Sequence, residues 1–387
     1  MKIEVRNIYK LFGPRPKKWL DEAKAGLSKP ALLEKSGHTI GLRNINLNIE
    51  AGQIYVIMGL SGSGKSTLIR HFNRLIEPTD GKIIVDGIDV MAMSKRDLED
   101  FRRHKVSMVF QRFGLFPHKT IIDNAAYGLA IQGVNKQAQE EKARYWLGQV
   151  GLTGFENQYP SQLSGGMQQR VGLARALATN PDILLMDEAF SALDPLIRRE
   201  MQDQLMELQE KLNKTIIFIT HDLDEALRLG NRIAILRDGE LIQEGTPEDI
   251  LLNPENDYVQ AFLQDVNRGK VLTAGHAIKQ PGITLTTRTT PQKALEKLKQ
   301  QGLDYACVLE GKTLKGIVTH LDITKASQEQ AKEISRYVQD AITIPDDAEL
   351  QEVFPQLLTS KLPVAVTNKQ GEFKGWLSKT KVIDLVA

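Results

Sequence analysis

The chain has 387 residues, 41% of them hydrophobic and 25% charged, enough apolar material for two or three domains with real cores. Its 50 Lys and Arg nearly cancel its 48 Asp and Glu, leaving a formal charge of +2 that excludes nucleic acid as a bulk electrostatic partner. The single cysteine, Cys307, excludes an internal disulfide and fits a reducing compartment, and no stretch approaches the roughly 20 apolar residues of a membrane helix. The start MKIEVRNIYK also lacks the apolar run of a secretory signal. Short β-rich runs, IYVIMG, KVSMVF, DILLMD, TIIFIT and RIAILRDG, alternate with longer segments of helical period. They predict an α/β layered domain over about the first 240 residues. Residues 14–38, rich in proline, glycine and charge, read as an inserted helical excursion.

Beyond Gly245, residues 246–271 read as closing helices and a linker, because TPEDILLNPENDYVQAFLQDV is helical in character and VNRGKVLTAGHAIKQPG is polar and glycine-containing. Residues 272–387 then repeat themselves. The stretch ITLTTRTTPQKALEKLKQQGLDYACVLEGKTLKGIVTHLDI resembles AITIPDDAELQEVFPQLLTSKLPVAVTNKQGEFKGWLSKTKVIDL, each predicting strand, helix, strand, turn and strand. One unit is too small to bury a core, so the repeats, about 278–326 and 334–387, pair into one domain. The shared endings, Gly316 before IVTHLDI and Gly375 before WLSKTKV, resemble the tandem cystathionine-β-synthase (CBS) module.

The densest chemistry lies in MGLSGSGKST, where Gly59, Gly64, Lys65 and Ser66 satisfy G-x-x-x-x-G-K-[ST] after an apolar strand and before a helix beginning near Thr67. Such a loop turns backbone N–H groups inward around a phosphate, and the following helix adds the positive end of its dipole. Gly59, Ser61, Gly62, Gly64, Lys65, Ser66 and Thr67 are therefore the candidate nucleotide-binding group. Lys65 is expected on the β and γ phosphates and the Ser66 hydroxyl on Mg²⁺. An ordinary glycine turn accounts for Gly62 and Gly64 but not for Lys65 and Ser66.

DILLMDE places Asp187 and Glu188 at the end of an interior strand, Asp187 toward the metal and Glu188 toward an attacking water. LSGGMQQR adds Ser164, Gly165 and Gly166, a second bare helix start able to hold an anion. Taken alone, each has a plain reading, a strand-end carboxylate or a capped helix.

In order, these motifs resemble the ATP-binding subunits of ABC transporters over about the first 245 residues. The match includes the P-loop, Gln111 in SMVFQ, LSGGMQQR, the strand ending at Glu188, SALD ending at Asp194, and His221 in FITHD. The resemblance implies an α/β fold, an ABC-type P-loop ATPase domain with a helical subdomain over residues 1–245, followed by an α+β tandem CBS module. It also implies a head-to-tail homodimer in which the signature serine and glycines of one subunit meet the γ-phosphate held by the other. Gln111 is then expected on metal and water, His221 on the γ-phosphate, and Asp194 across the interface. Glu188, His221 and Gln111 form the candidate catalytic group, with ATP and Mg²⁺ as cofactors and Ser66, Gln111 and Asp187 as metal contacts. Phe12 occupies the place of the adenine-stacking aromatic, with Tyr9 as fallback. The loop RFGLFPHKT, with Phe113, Leu115, Phe116 and Pro117, either receives a coupling helix from a membrane subunit or packs locally.

Finer wording, VIMGLSGSGKSTLIRHFNRLIEPT, FQRFGLFPHKT with DNAAYGL, and DEAFSALDPLIRRE with Ala189, resembles the importers for glycine betaine, proline betaine, carnitine or choline. The implied partners are two transmembrane permease subunits or domains and a separate solute-binding protein or domain, with the chain peripheral on the cytoplasmic face. Thr319 and Asp322 match the CBS ribose pattern, whereas Ser378 is followed by Lys381 in place of the acid. The candidate CBS ligands are therefore an adenosine nucleotide, a cyclic dinucleotide or anionic lipid, alongside a purely dimerising role. The remaining alternatives are an importer of another amino-acid-like solute, a non-transport ABC ATPase, and a CBS-type nucleotide sensor.

Overall fold

The structure, a computed structural model, describes residues 2–386 except 112, 265, 281 and 361. Contacts divide the chain into two compact units that meet in sequence between residues 264 and 265.

The first unit opens with β1 (Ile3–Phe12), whose buried and exposed side chains begin in alternation. The excursion after it forms α1 (Leu20–Lys24) and α2 (Lys29–Ser36), the latter started by Ser28 as its cap and ended at Gly37. Leu32 and Ala23 from these helices bury against Tyr9, Leu11 and Ile40, giving the excursion its own small core. The chain continues as β2 (Thr39–Ile49), β3 (Ile54–Met58), α3 (Lys65–Phe72), β4 (Asp80–Val85), β5 (Ile88–Asp89), α4 (Lys95–His104) and β6 (Val106–Val109).

A helical group follows: α5 (Ile121–Ile131), α6 (Lys136–Gln149) and α7 (Gly165–Ala178), started by Thr120, Asn135 and Ser164, each accepting a backbone N–H three residues on. The layered pattern then resumes with β7 (Ile183–Asp187), α8 (Pro195–Leu212), β8 (Thr215–Thr220), α9 (Leu223–Leu229), β9 (Arg232–Arg237), β10 (Glu240–Gly245), α10 (Pro247–Leu252) and α11 (Asp257–Phe262).

The larger sheet has the order β10-β9-β3-β8-β7-β6, parallel except at the β10 edge, and the smaller antiparallel sheet has the order β2-β1-β4-β5. Strands β3, β7 and β8 are buried along their whole length, as parallel strands covered on both faces must be. Between the two sheets lies α3, whose Leu68, Ile69 and Phe72 share a core with Ile8, Leu42, Ile57 and Ile219. Each such fully buried side chain contributes about 1.5–3 kcal/mol of transfer free energy. This clamp fixes the start of α3, and with it the loop from residue 59 to residue 64.

The second unit contains β11 (Ile278–Lys279), β12 (Thr284–Leu285), α12 (Pro291–Gln301), β13 (Tyr305–Glu310), β14 (Thr313–Thr319) and α13 (His320–Gln328). It closes with β15 (Thr343–Pro345), α14 (Leu350–Thr359), β16 (Ala365–Thr367), β17 (Phe373–Leu377) and α15 (Lys379–Val386). The two halves share a pairing rule. β12 joins β13 in parallel and β14 returns antiparallel, as β15 joins β16 and β17 returns. Gly316 and Gly375 occupy matching places with φ of 150° and 151°, and a Cβ on Gly316 would lie 2.2 Å from Gln339 O.

Candidate nucleotide site

The site stands at the carboxyl ends of β3, β7 and β8, where an open parallel sheet offers its crevice. After Met58 the chain turns sharply through Gly59, φ 147°, where a Cβ would lie 2.2 Å from Leu236 O. At Gly64, φ 103°, a Cβ would lie 2.6 Å from Gly41 O, so neighbouring backbone closes the loop on both sides. Gly64 caps α3, which begins at Lys65, two residues before the expected start near Thr67. Gly64 takes a left-handed conformation at this junction, which its missing Cβ permits.

Lys65 is nearly buried and donates from Nζ to Gly59 O at 2.7 Å and Leu60 O at 3.0 Å. Burial lowers its pKa, and the negative charges of Glu188 and Asp187 oppose that shift. The ammonium is thus held by carbonyls that a phosphate oxygen can replace. Ser66 Oγ donates to Asp187 Oδ1 at 2.8 Å, and Arg70 Nη2 lies 3.2 Å from Asp187 Oδ2. A hydroxyl and a buried carboxylate meeting at the end of this loop are hard oxygen donors that fit Mg²⁺.

Glu188 follows Asp187 with φ 45°, a left-handed conformation rare for a residue with a Cβ. Strain of this kind persists where the surroundings hold it, and the Glu188 amide donates to Ile219 O at 3.1 Å. Its carboxylate receives Gln111 Nε2 at 3.1 Å, His221 Nδ1 lies 3.5 Å from Oε2, and Lys65 Nζ lies 3.9 Å from Oε1. Gln111 Nε2 also reaches Ser191 Oγ at 3.3 Å. The structure therefore gathers Lys65, Ser66, Gln111, Asp187, Glu188 and His221 around one carboxylate pair.

Ser164, Gly165, Gly166 and Asp194 stand apart from this group. Ser164 Oγ caps α7 by accepting from Met167 N at 3.3 Å, and Asp194 Oδ1 caps α8 by accepting from Ile197 N at 3.1 Å. Among the described residues, no hydrogen bond joins either to residues 59–67 of the same chain. Ser61, Gly62 and Thr67 lie in the loop and the first turn of α3. Phe12 ends β1 as a residue 42% exposed, with Lys10 Nζ over its ring 5.1 Å from the ring centre. Tyr9 is buried in the core of the excursion, which leaves Phe12 as the more exposed of the two aromatics.

Several neighbours were not foreseen from the motifs. Arg70 is one: it sits one turn after Ser66 on α3, a spacing that places both on one face. Ser191 is another, and its place beside Gln111 depends on how the turn after Glu188 folds back, with Ser191 Oγ donating to Glu188 O at 2.9 Å. Next to the helical group lies an apolar groove of about 430 Å³ lined by Leu75, Met108, Phe110, Tyr127, Ile131 and Arg175. Of the loop residues expected there, Phe116 borders it through Tyr127, ring centres 4.5 Å apart.

In the second unit a cavity of about 870 Å³ is lined by Lys279, Asp304, Thr319, His320, Ser378 and Lys379, among others. Thr319 faces it, but Asp322 does not line it. The Asp322 carboxylate accepts from Thr319 N at 2.9 Å and from Gln339 Nε2 at 2.9 Å, closing a capping box at the start of α13. Lys381 lies beyond the lining residues, its Nζ 3.4 Å from Ile278 O.

Comparison with known proteins identifies the family of both units. The sequence model of the family described as ABC transporter matches residues 42–191, and that of the CBS domain matches residues 275–329. The chain is 49% identical to the glycine betaine transport ATP-binding protein OpuAA of Bacillus subtilis, covering 100% of this chain and 93% of the relative. It is also 49% identical to the glycine betaine/carnitine transport ATP-binding protein GbuA of Listeria monocytogenes, covering 99% and 96%. A solved structure, the ATP-binding cassette MJ0796 as a dimer in a post-hydrolysis state with ADP and Pi, is 33% identical with a TM-score of 0.55, covering 63% of this chain and 98% of that one.

The chain belongs to the ATP-binding subunits of ABC transporters, those that carry a CBS domain behind the ATPase. It is the ATP-hydrolysing component of such a transporter, working with permease and substrate-binding components. No helix among the described residues is long and apolar enough to cross a membrane.

Proposed function

We propose that this subunit drives ATP-dependent import of glycine betaine or a related quaternary amine from the cytoplasmic face of the membrane. The observation that carries the motor is the cluster of Gln111, His221 and Lys65 on Glu188, beside the Ser66–Asp187 pair. The substrate rests on similarity along the whole chain to glycine betaine transport subunits.

In this reading the loop 59–67 wraps the ATP phosphates, Lys65 leaves its two carbonyls for phosphate oxygens, and Phe12 stacks on adenine. Ser66, Asp187 and Gln111 would hold Mg²⁺, which when bound would supply charge neutralisation at the phosphates. Glu188 takes the proton from the attacking water, and His221 donates to a γ-phosphate oxygen. Ser164, Gly165, Gly166 and Asp194 serve the site of a second copy, which explains why their side chains and amides are not spent on their own loop. Two ATP molecules then sit between two subunits; the similar cassette MJ0796 is itself a dimer bound to ADP and Pi.

In each of the two copies the apolar groove beside Phe110 and Tyr127 receives a segment of one of the two permease subunits or domains, and a separate solute-binding protein or domain captures the amine. The cavity of the second unit takes an anionic regulator, because Lys279 and Lys379 line it with hydroxyls from Thr319 and Ser378. A cyclic dinucleotide, an adenosine nucleotide and an anionic lipid headgroup share that chemistry. Ionic strength acts on the same charged cavity.

The test reconstitutes the subunit with its genomic permease and solute-binding partners and asks which solute stimulates ATP hydrolysis. Stimulation by glycine betaine supports the reading. Stimulation by another amino-acid-like solute, with none by quaternary amines, replaces the substrate and keeps the motor.

A further inference from the structure

Arg175 lies near the end of α7, the helix that begins with the Ser164 cap, and it grips the loop that carries Gln111. Its Nη1 donates to Gly114 O at 2.7 Å and its Nη2 donates to Phe113 O at 3.2 Å. Among the described residues no carboxylate pairs with it, and burial lowers its pKa with no opposing charge to restore it. Its partners among those residues are the two loop carbonyls alone, so the side chain is tied to the loop and not to a counter-ion.

Described residues of the loop are anchored at several points. Gln111 holds Glu188 and Ser191 at one end. The Phe113 ring lies 3.5 Å from where a Gly165 Cβ would stand, and Phe113 O lies 3.7 Å from the matching point on Gly172. At the far end Asn124, fully buried in α5, accepts from Phe116 N at 2.8 Å and donates to Phe116 O, Lys119 O and Thr120 O.

We propose that Arg175 is a positioning residue that couples the signature helix to the Gln111 arm, so that movement of α7 is carried by Phe113 and Gly114 to the side chain on Glu188. The inference rests on the assignment of Ser164, Gly165 and Gly166 to the nucleotide of a second copy. When that phosphate engages the start of α7, the helix moves as a rigid rod, and Arg175 at its other end drags the loop. A planar fork suits the task, because two carbonyls of adjacent residues take two parallel N–H donors at once. Lysine, a point donor, holds one of them and leaves the arm slack. The same guanidinium lines the apolar groove, so whatever docks there pushes on the same latch.

The test uses the reconstituted transporter with Arg175→Lys and, as control, Arg170→Lys. Arg170 lies on the same helix but donates to Val150 O at 3.0 Å and Glu200 Oε2 at 3.1 Å, away from the loop. Arg175→Lys is expected to keep the KM for ATP within about twofold while solute stimulation of ATPase, and solute moved per ATP, fall about tenfold. Arg170→Lys keeps the ratio of transport to hydrolysis. An unchanged ratio in Arg175→Lys, or a fall matched by Arg170→Lys in step with thermal stability, overturns the proposal.

Amide hydrogen exchange on the unaltered subunit decides the matter if Arg175→Lys does not fold. Protection in residues 113–119 and 164–178 must change together when ATP is added, and a change confined to one stretch overturns the coupling. Because this readout requires no solute, it stands even if glycine betaine proves to be the wrong substrate.

Discussion

Gln111 Nε2 donates to Glu188 Oε2 at 3.1 Å, so the amide from the end of β6 holds the carboxylate at the end of β7. Glu188 is held further by its strained backbone and its amide bond to Ile219 O. A side chain this constrained is aimed, and its chemistry is replaceable without disturbing its position. Glu188→Gln is therefore predicted to retain ATP binding and to lose turnover by about 10²- to 10⁴-fold, the usual cost of a lost general base. Single-turnover hydrolysis and size exclusion with ATP check this, the expected species being an ATP-bound dimer that does not hydrolyse.

Phe12 offers a half-exposed ring at the end of β1, whereas Tyr9 is in the core. Stacking on a base is worth about 1–3 kcal/mol. Phe12→Ala is expected to raise the KM for ATP roughly 5- to 150-fold with kcat little changed, and Phe12→Trp to restore it. Titration with a fluorescent ATP analogue reads the affinity directly, and equal binding by Phe12→Ala removes the stacking role.

His71 gives the fold an acid limit. It is fully buried on α3, its Nδ1 lies 2.5 Å from Thr67 O, and burial lowers its pKa to about 4 from 6.5, with Lys10 adding repulsion. Because the folded pKa lies below the unfolded one, the neutral ring contributes full stability above about pH 6.5, and that contribution is lost as pH falls toward 4. The loss reaches roughly 3 kcal/mol only below pH 4 and is about 2 kcal/mol at pH 5. Urea unfolding at pH 7.5 and pH 5 is predicted to show it, and His71→Asn to flatten the difference.

Much of the nucleotide loop was legible because its residues are contiguous and each type has one chemical use: glycines for positive φ, Lys65 for phosphate, Ser66 for a metal. The gathering of Gln111, Glu188 and His221 was legible only through motif order, since these residues come from the ends of different strands. Arg175 was not legible. Whether an arginine on a helix faces solvent or a loop far earlier in sequence depends on packing that no local pattern encodes, and Arg175 reaches back 61 residues to Gly114. Thr319 and Asp322 illustrate the opposite case, in which one spacing serves two purposes. A threonine followed three residues later by an acid is also a capping box, and the structure uses Asp322 in that way.

The cavity of the second unit is expected to hold its anion through Lys279 and Lys379. Charge-assisted contacts to a phosphate are stronger than neutral ones, so Lys279→Ala with Lys379→Ala should weaken the response to nucleotide or salt while leaving maximal ATPase activity intact. Dose-response curves of the reconstituted transporter supply the check. A response unchanged by both substitutions places the regulator elsewhere.

The central claim is that this ATPase powers uptake of a quaternary amine, and ATP-driven uptake of labelled glycine betaine by vesicles containing the subunit and its genomic membrane partners tests it most directly, with salt titrated inside. The prediction is uptake that rises with internal salt and vanishes in Glu188→Gln. ATP hydrolysis at a normal rate with no betaine entering the vesicles would contradict it.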